Sequence, residues 1–296
     1  MIGLYYSNAT IHRRVLLQTH GAYPVEGPAR RLMSFLSVAS MALGLLSLIS
    51  TATPVPASDA ATGALSVGEW EALWTKVLAR NVDDSGRIAF DALSRDHADL
   101  DRVVAFVAAV DPVSQPQRFP DRQSRLAFYI NAYNALAMYG VVQAGVPESL
   151  GGLTKFTFFY LRTFTVGGKS ISLYKFENDV IRPLGEERVH FALNCMVVSC
   201  PRLPRVAFSA PALDGQLDTA ARTFIGENRN VWIDHAKHEV SLSAIFDFYT
   251  QDFLAHAPGL IAYVNRYRPA PVPSDLKVRF LGYDWTVNHR KWSFAR

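Results

Sequence analysis

The sequence predicts an α+β fold: a single domain over residues 58–296, with helices packed on a small antiparallel sheet. Three observations carry this. Apolar residues recur at helical spacing in several windows, most extensively over 121–144. Two pairs of short β-rich runs flank turn signals, one at Gly167-Gly168 and one between Asp234 and Glu239. Helices and hairpins alternate without the strand–helix–strand regularity of a parallel sheet.

The elements follow in order. Ser66-Val67-Gly68-Glu69 has the form of a capping box, and Trp70, Leu73, Trp74, Val77 and Leu78 follow at helical spacing. Asp83-Asp84-Ser85-Gly86 breaks that helix. Residues 96–110 form another, ended by Asp111-Pro112. In the long helix at 121–144, Leu126, Ile130, Tyr133, Ala137 and Val141 make an apolar stripe, and Gly145 and Pro147 stop it. Residues 156–166, rich in threonine and aromatics, read as a strand, and 169–173 return across the glycine turn. A helix at 174–181 stops at Pro183, and 188–194 read as a short strand. Residues 212–225 are helical, 231–234 and 239–242 form a second hairpin, 244–256 and 259–266 are helical, and 278–287 read as a last strand. No repeat, low-complexity tract or long linker interrupts residues 66–296, which is the reason to count one domain.

Composition is that of a globular protein: 296 residues, 49% hydrophobic, 19% charged and 12% aromatic. The net charge of +4 is concentrated at the N-terminus. Removing the four arginines and one glutamate of residues 1–57 from 30 basic and 26 acidic residues leaves 26 and 25. With no basic run in the remainder, a nucleic-acid partner is not expected. Residues 1–57 read as a leader. Arg30-Arg31 precedes an uncharged run, LMSFLSVASMALGLLSLI (32–49), and small residues then offer cleavage sites near 50–52 and 58–60. This is the pattern of an export signal. At 18 residues the run also approaches the length of a membrane anchor, and a core helix is the third reading. The expected location is outside the cytoplasm, periplasmic or extracellular, with membrane contact only through an uncleaved leader. Residues 51–65 read as a linker.

The only cysteines, Cys195 and Cys200, lie with His190 in the eleven-residue segment HFALNCMVVSC. A thiol enzyme needs a thiolate, a base and a group to orient the base. On an extended 188–194 segment, Cys195 faces away from His190 unless the strand ends first, which makes Cys200 the reserve nucleophile. Pro201 at the start of a helix would put Cys200 at an N-terminus that favours a thiolate. Against this stand a Cys195–Cys200 disulfide, which export permits, and simple burial. Asn131 and Asn134, three apart in an apolar helix, need hydrogen-bond partners, either to pin backbone or, for Asn134, to orient His190. Glu177 can orient His190 or lie on a solvated helix face. A zinc reading through Cys195, Cys200, His235 and His238 suffers from the tight His-x2-His spacing. No metal or other cofactor is expected.

Three segments together, FYINAYNAL (128–136), ISLYKFENDVIRP (171–183) and VHFALNCMVVSCPRL (189–203), resemble the domain-of-unknown-function family DUF547. The resemblance runs from about 70 to 255 and includes SLSAIFDFYTQDF at 241–253. It implies that Asn131, Asn134, Glu177, His190, Cys195, Cys200 and Pro201 form one motif set. It also implies likeness to papain and transglutaminase thiol enzymes. Where the family usually has a small residue after the first cysteine, this chain has Met196, which argues against a tight turn or an open oxyanion site there.

The leading expectation is a cysteine-dependent amide hydrolase or acyl transferase acting on a peptide or amide. Cys195 is the nucleophile, His190 the base, Glu177 or Asn134 its orienting partner, and backbone N–H groups of 195–200 the oxyanion donors. The competing expectation is a non-catalytic cell-envelope binding domain with Cys195 and Cys200 joined.

Overall fold

The first helix, α1 (Val67–Asn81), opens with Ser66 and Glu69 in a reciprocal capping box and buries Trp70, Trp74, Val77 and Leu78 along one face. The Trp70 indole N–H donates to the Val103 carbonyl at 3.1 Å, which ties α1 to α3 (Ala98–Ala109). Between them lies α2 (Phe90–Arg95). The computed structural model describes residues 65–291, so the leader lies outside the described residues. No helix among the described residues is long and apolar enough to cross a membrane.

The central helix, α4 (Arg122–Gln143), is capped by Asp121 and is buried on nearly every side from Leu126 to Val142. Burial all round explains how it holds two asparagines: no face is left for solvent, so each amide must find a partner inside. Asn131 Nδ2 donates to the Phe208 carbonyl at 2.7 Å, and its Oδ1 accepts from the Phe208 N–H at 2.9 Å. Asn134 does the same for the segment 192–194, described below.

After α4 the chain departs from the expected strand. Residues 153–161 are helical, as α5 (Leu153–Phe156) with a π-helical continuation Thr157–Leu161. The strand β1 is only Thr163–Val166. The aromatics that favour a strand here are sorted by a helical face: Phe158 and Phe159 are buried, while Phe156, Tyr160 and Leu161 are exposed. Phe158 and Phe164 reach so close to Gly140 of α4 that a Cβ there would lie 3.0 Å and 2.9 Å from their ring tips. Packing against α4 thus outweighs intrinsic β propensity. The expected hairpin forms between β1 and β2 (Lys169–Ser172), with Val166 opposite Lys169 and both turn glycines at positive φ. The helix expected next is present as α6 (Leu173–Lys175) with a π-helical continuation Phe176–Ile181 and a 3₁₀ turn at Pro183.

The second half is built on α7 (Leu213–Gly226) and a three-stranded sheet in the order β3 (Val231–Asp234), β4 (Glu239–Leu242), β5 (Lys277–Phe280). β3 and β4 are the expected antiparallel hairpin. β5 is shorter than expected and runs parallel to β4, so this sheet is mixed. The stretch read as two helices is three short ones, α8 (Ala244–Phe248), α9 (Thr250–Leu254) and α10 (Leu260–Val264), with a break at Tyr249. The fold is α+β.

Two hydrophobic cores result, one around α1–α4 and one around α7, the β3–β5 sheet and α8–α10. The segment 187–193 joins them, since Val189 and Ala192 pack in the first core and Phe191 in the second. Tyr283 packs against both. The sequence motifs converge at this seam.

Candidate functional site

Residues 188–194 are not a strand. Glu187–Phe191 form a 3₁₀ turn, with the Glu186 side chain accepting from the Arg188 N–H. The turn sets Phe191 into the aromatic core with Phe224, Phe246 and Phe253, and His190 meets the edge of that core at Phe253. Strand parity therefore does not govern the site, and His190 and Cys195 line the same cavity of about 370 Å³. Glu177 lines it too.

Asn134 does not touch His190. Its Nδ2 donates to the Ala192 carbonyl at 3.0 Å and its Oδ1 accepts from the Asn194 N–H at 2.7 Å. Asn194 continues this scaffold, with Nδ2 donating to the Pro201 carbonyl at 2.6 Å and Oδ1 accepting from the Met196 N–H at 2.7 Å. The tight turn that Met196 seemed to disfavour is present: Met196 sits at φ 66 with a fully buried side chain. That conformation costs a non-glycine residue about 1–2 kcal/mol, which the buried side chain and the Asn194 bond offset. Pro201 begins no helix, so Cys200 has no helix N-terminus beside it.

Cys195 and Cys200 are joined in a disulfide, Cα atoms 6.2 Å apart. The two sulfurs differ in surroundings. Cys195 is half-buried and lines the cavity, while Cys200 is buried. Cys200 Sγ accepts from the Cys195 N–H at 3.0 Å. The Tyr283 hydroxyl lies 3.3 Å from Cys195 Sγ and 3.4 Å from Cys200 Sγ, and its single proton is shared between the two sulfurs. Burial, reinforced by the negative Glu177, pushes the Tyr283 phenol well above its ordinary value, so it stays a donor.

The partner of His190 is Asp252 of α9, which the sequence reading did not single out. Its Oδ2 lies 2.8 Å from His190 Nε2. A carboxylate only accepts, so Nε2 carries the proton and donates. Arg182 fixes the carboxylate with two bonds of 2.8 Å, one to each oxygen. The His190 bond, helped by Arg182, holds the Asp252 carboxyl far below the usual carboxylate range. The imidazole is further clamped by the Tyr249 ring, stacked 3.7 Å away at 15°. Among the described residues, His190 Nδ1 is the one buried side-chain nitrogen or oxygen without a hydrogen-bond partner.

Glu177 does not orient His190 directly. It is buried, and it accepts from the Tyr133 hydroxyl at 3.2 Å and from the Tyr249 hydroxyl. Tyr249, which donates to Glu177, is also the ring stacked on His190. Burial, with Glu177 adding to it, raises both phenols far above their ordinary range. The four residues of the zinc reading form no metal-holding group among the described residues: both cysteines are in the disulfide, and His238 pairs with Asp275 at 3.1 Å.

Residues 116–225 match the model of a family described as "Protein of unknown function, DUF547". Over this stretch the chain is similar to the DUF547 family, and the match spans its three motifs. The matched region is narrower than the resemblance read from the sequence. It contains Asn131, Asn134, Glu177, His190 and both cysteines, and stops before Tyr249, Asp252 and Tyr283. No curated protein and no solved structure matches the chain.

Proposed function

We propose that this chain is an exported cell-envelope domain that binds a ligand of the peptide or amide class, with the Cys195–Cys200 disulfide forming part of the binding wall. The observation that carries the reading is the disulfide itself. Sulfurs joined to each other offer no thiolate, and an acyl-transferring cysteine needs one. The backbone points the same way. The N–H groups of Cys195, Met196, Val198, Ser199 and Cys200 are all spent on partners inside the protein, so they leave little for an oxyanion.

What remains is a concave site suited to recognition. Its walls include Tyr133, Tyr249, Phe248 and Trp285, with Lys155, Glu177 and Arg182 as charged groups. Large apolar walls with a few placed polar groups are the usual make-up of a ligand cavity.

The reading is tested by incubating the oxidised protein with amide-capped aromatic dipeptides. Calorimetry should show saturable binding, weakened by Glu177→Gln, while mass spectrometry shows the peptides intact. Peptide cleavage that iodoacetamide abolishes would overturn it in favour of the thiol hydrolase.

A further inference from the structure

We propose that the Cys195–Cys200 disulfide is reactive, and that it exchanges with a thiol, carried on a small molecule or a peptide side chain, that enters the cavity at Cys195. This goes beyond binding but rests on the cavity being the ligand site. Two independent features support it: the asymmetry of the sulfurs and the unpartnered nitrogen of His190.

The asymmetry sets which sulfur is attacked and which leaves. Cys195 lines the cavity, whereas Cys200 is buried behind it. The two sulfurs share the single Tyr283 proton, and Cys200 alone also accepts from the Cys195 N–H. Donors aimed at a sulfur stabilise the thiolate formed when it departs, and a better leaving thiolate speeds exchange. The donors therefore favour attack on the sulfur that an entering molecule reaches.

His190 supplies the base. With Nε2–H given to Asp252, the neutral ring holds its lone pair on Nδ1, buried and without a partner among the described residues. Such a group is costly to leave unsatisfied, and His190 is one of the residues that line the cavity. Asp252, held by Arg182, keeps the tautomer and stabilises the imidazolium once formed.

The steps balance as follows. Nδ1 takes the proton of the entering thiol. The resulting thiolate forms a bond to Cys195 Sγ, the Cys195–Cys200 bond breaks, and its electron pair goes to Cys200. A second thiol, deprotonated in turn, attacks the substrate sulfur of the mixed disulfide and releases Cys195 as thiolate. The two protons end on the two cysteines. Two substrate thiols are oxidised to a disulfide and the protein disulfide is reduced to a dithiol.

The test uses the purified oxidised protein and free cysteine as the probe. Reactions are quenched in acid, alkylated and mapped by mass spectrometry. The expected adduct is on Cys195, and the folded protein should react about tenfold or more faster near neutral pH than the same protein unfolded in guanidinium. His190→Gln should slow the reaction and return its pH profile to that of the free thiol. Tyr283→Phe, which leaves the base in place, should slow it without moving the profile. An adduct on Cys200, a folded protein slower than the unfolded one, or unchanged rates in both folded variants would overturn the proposal. If exchange fails while dipeptides still bind, the inference falls alone; if neither occurs, the cavity is not the ligand site.

Discussion

Replacing Asn134 with alanine should unpin the segment that carries the site. Two bonds are lost, to the Ala192 carbonyl at 3.0 Å and from the Asn194 N–H at 2.7 Å, and both backbone groups belong to a buried stretch. Each buried group left unsatisfied costs about 1–3 kcal/mol, so the pair costs about 2–6 kcal/mol. For a domain of this size, at about 2–4 °C per kcal/mol, that lowers the melting midpoint by roughly 4–24 °C. Guanidinium unfolding followed by tryptophan fluorescence, with the disulfide intact, measures it. Asn131→Ala should lose a similar amount through Phe208. A loss below about 1 kcal/mol for Asn134→Ala would refute the view that this amide is the main anchor of the segment.

Other outcomes follow from the same structure. Asp252 is held ionised by His190 and Arg182, so its stabilisation is complete above the unfolded carboxyl value and fades as pH falls through its lower folded value. Stability should therefore drop below about pH 4, and Asp252→Asn should flatten part of that drop in acid unfolding curves. Gly167 and Gly168 both sit at positive φ, but a Cβ on Gly167 would lie 2.4 Å from Asp111 Cβ, whereas Gly168 has open space. Gly168→Ala should cost about 1 kcal/mol and Gly167→Ala distinctly more; equal losses in denaturant titrations would contradict the close approach. Residues 30–62, fused to a reporter active only outside the cytoplasm, should make it active.

The sequence was most readable where one local rule decided the outcome. Ser66 and Glu69 cap α1, Asp121 opens α4, and two glycines at positive φ make the first hairpin. The buried asparagines were legible because an amide in an apolar helix demands a partner, although which partner was not. The misread segments are those where tertiary packing overrides local preference. Residues 156–161 carry strand-favouring aromatics but turn helical against Gly140, and 188–194 look extended but coil to place Phe191 in the second core. The site was half legible. His190, Cys195 and Glu177 were found because they are scarce types in one motif. Asp252 was missed because it meets His190 across 62 residues, and Tyr283 because it meets the sulfurs across more than 80. Tyr249 and Asp252 do share one motif segment, spaced so that the ring and the carboxylate reach the same imidazole. That spacing was the available signal.

The account rests on the state of the two cysteines in the folded protein. The direct measurement is alkylation of the native, purified protein without reductant, followed by intact mass and peptide mapping. The account predicts no alkylated cysteine and a single linked peptide pair joining Cys195 to Cys200. A free, rapidly alkylated Cys195, slowed by His190→Ala, would contradict it and return the site to acyl transfer.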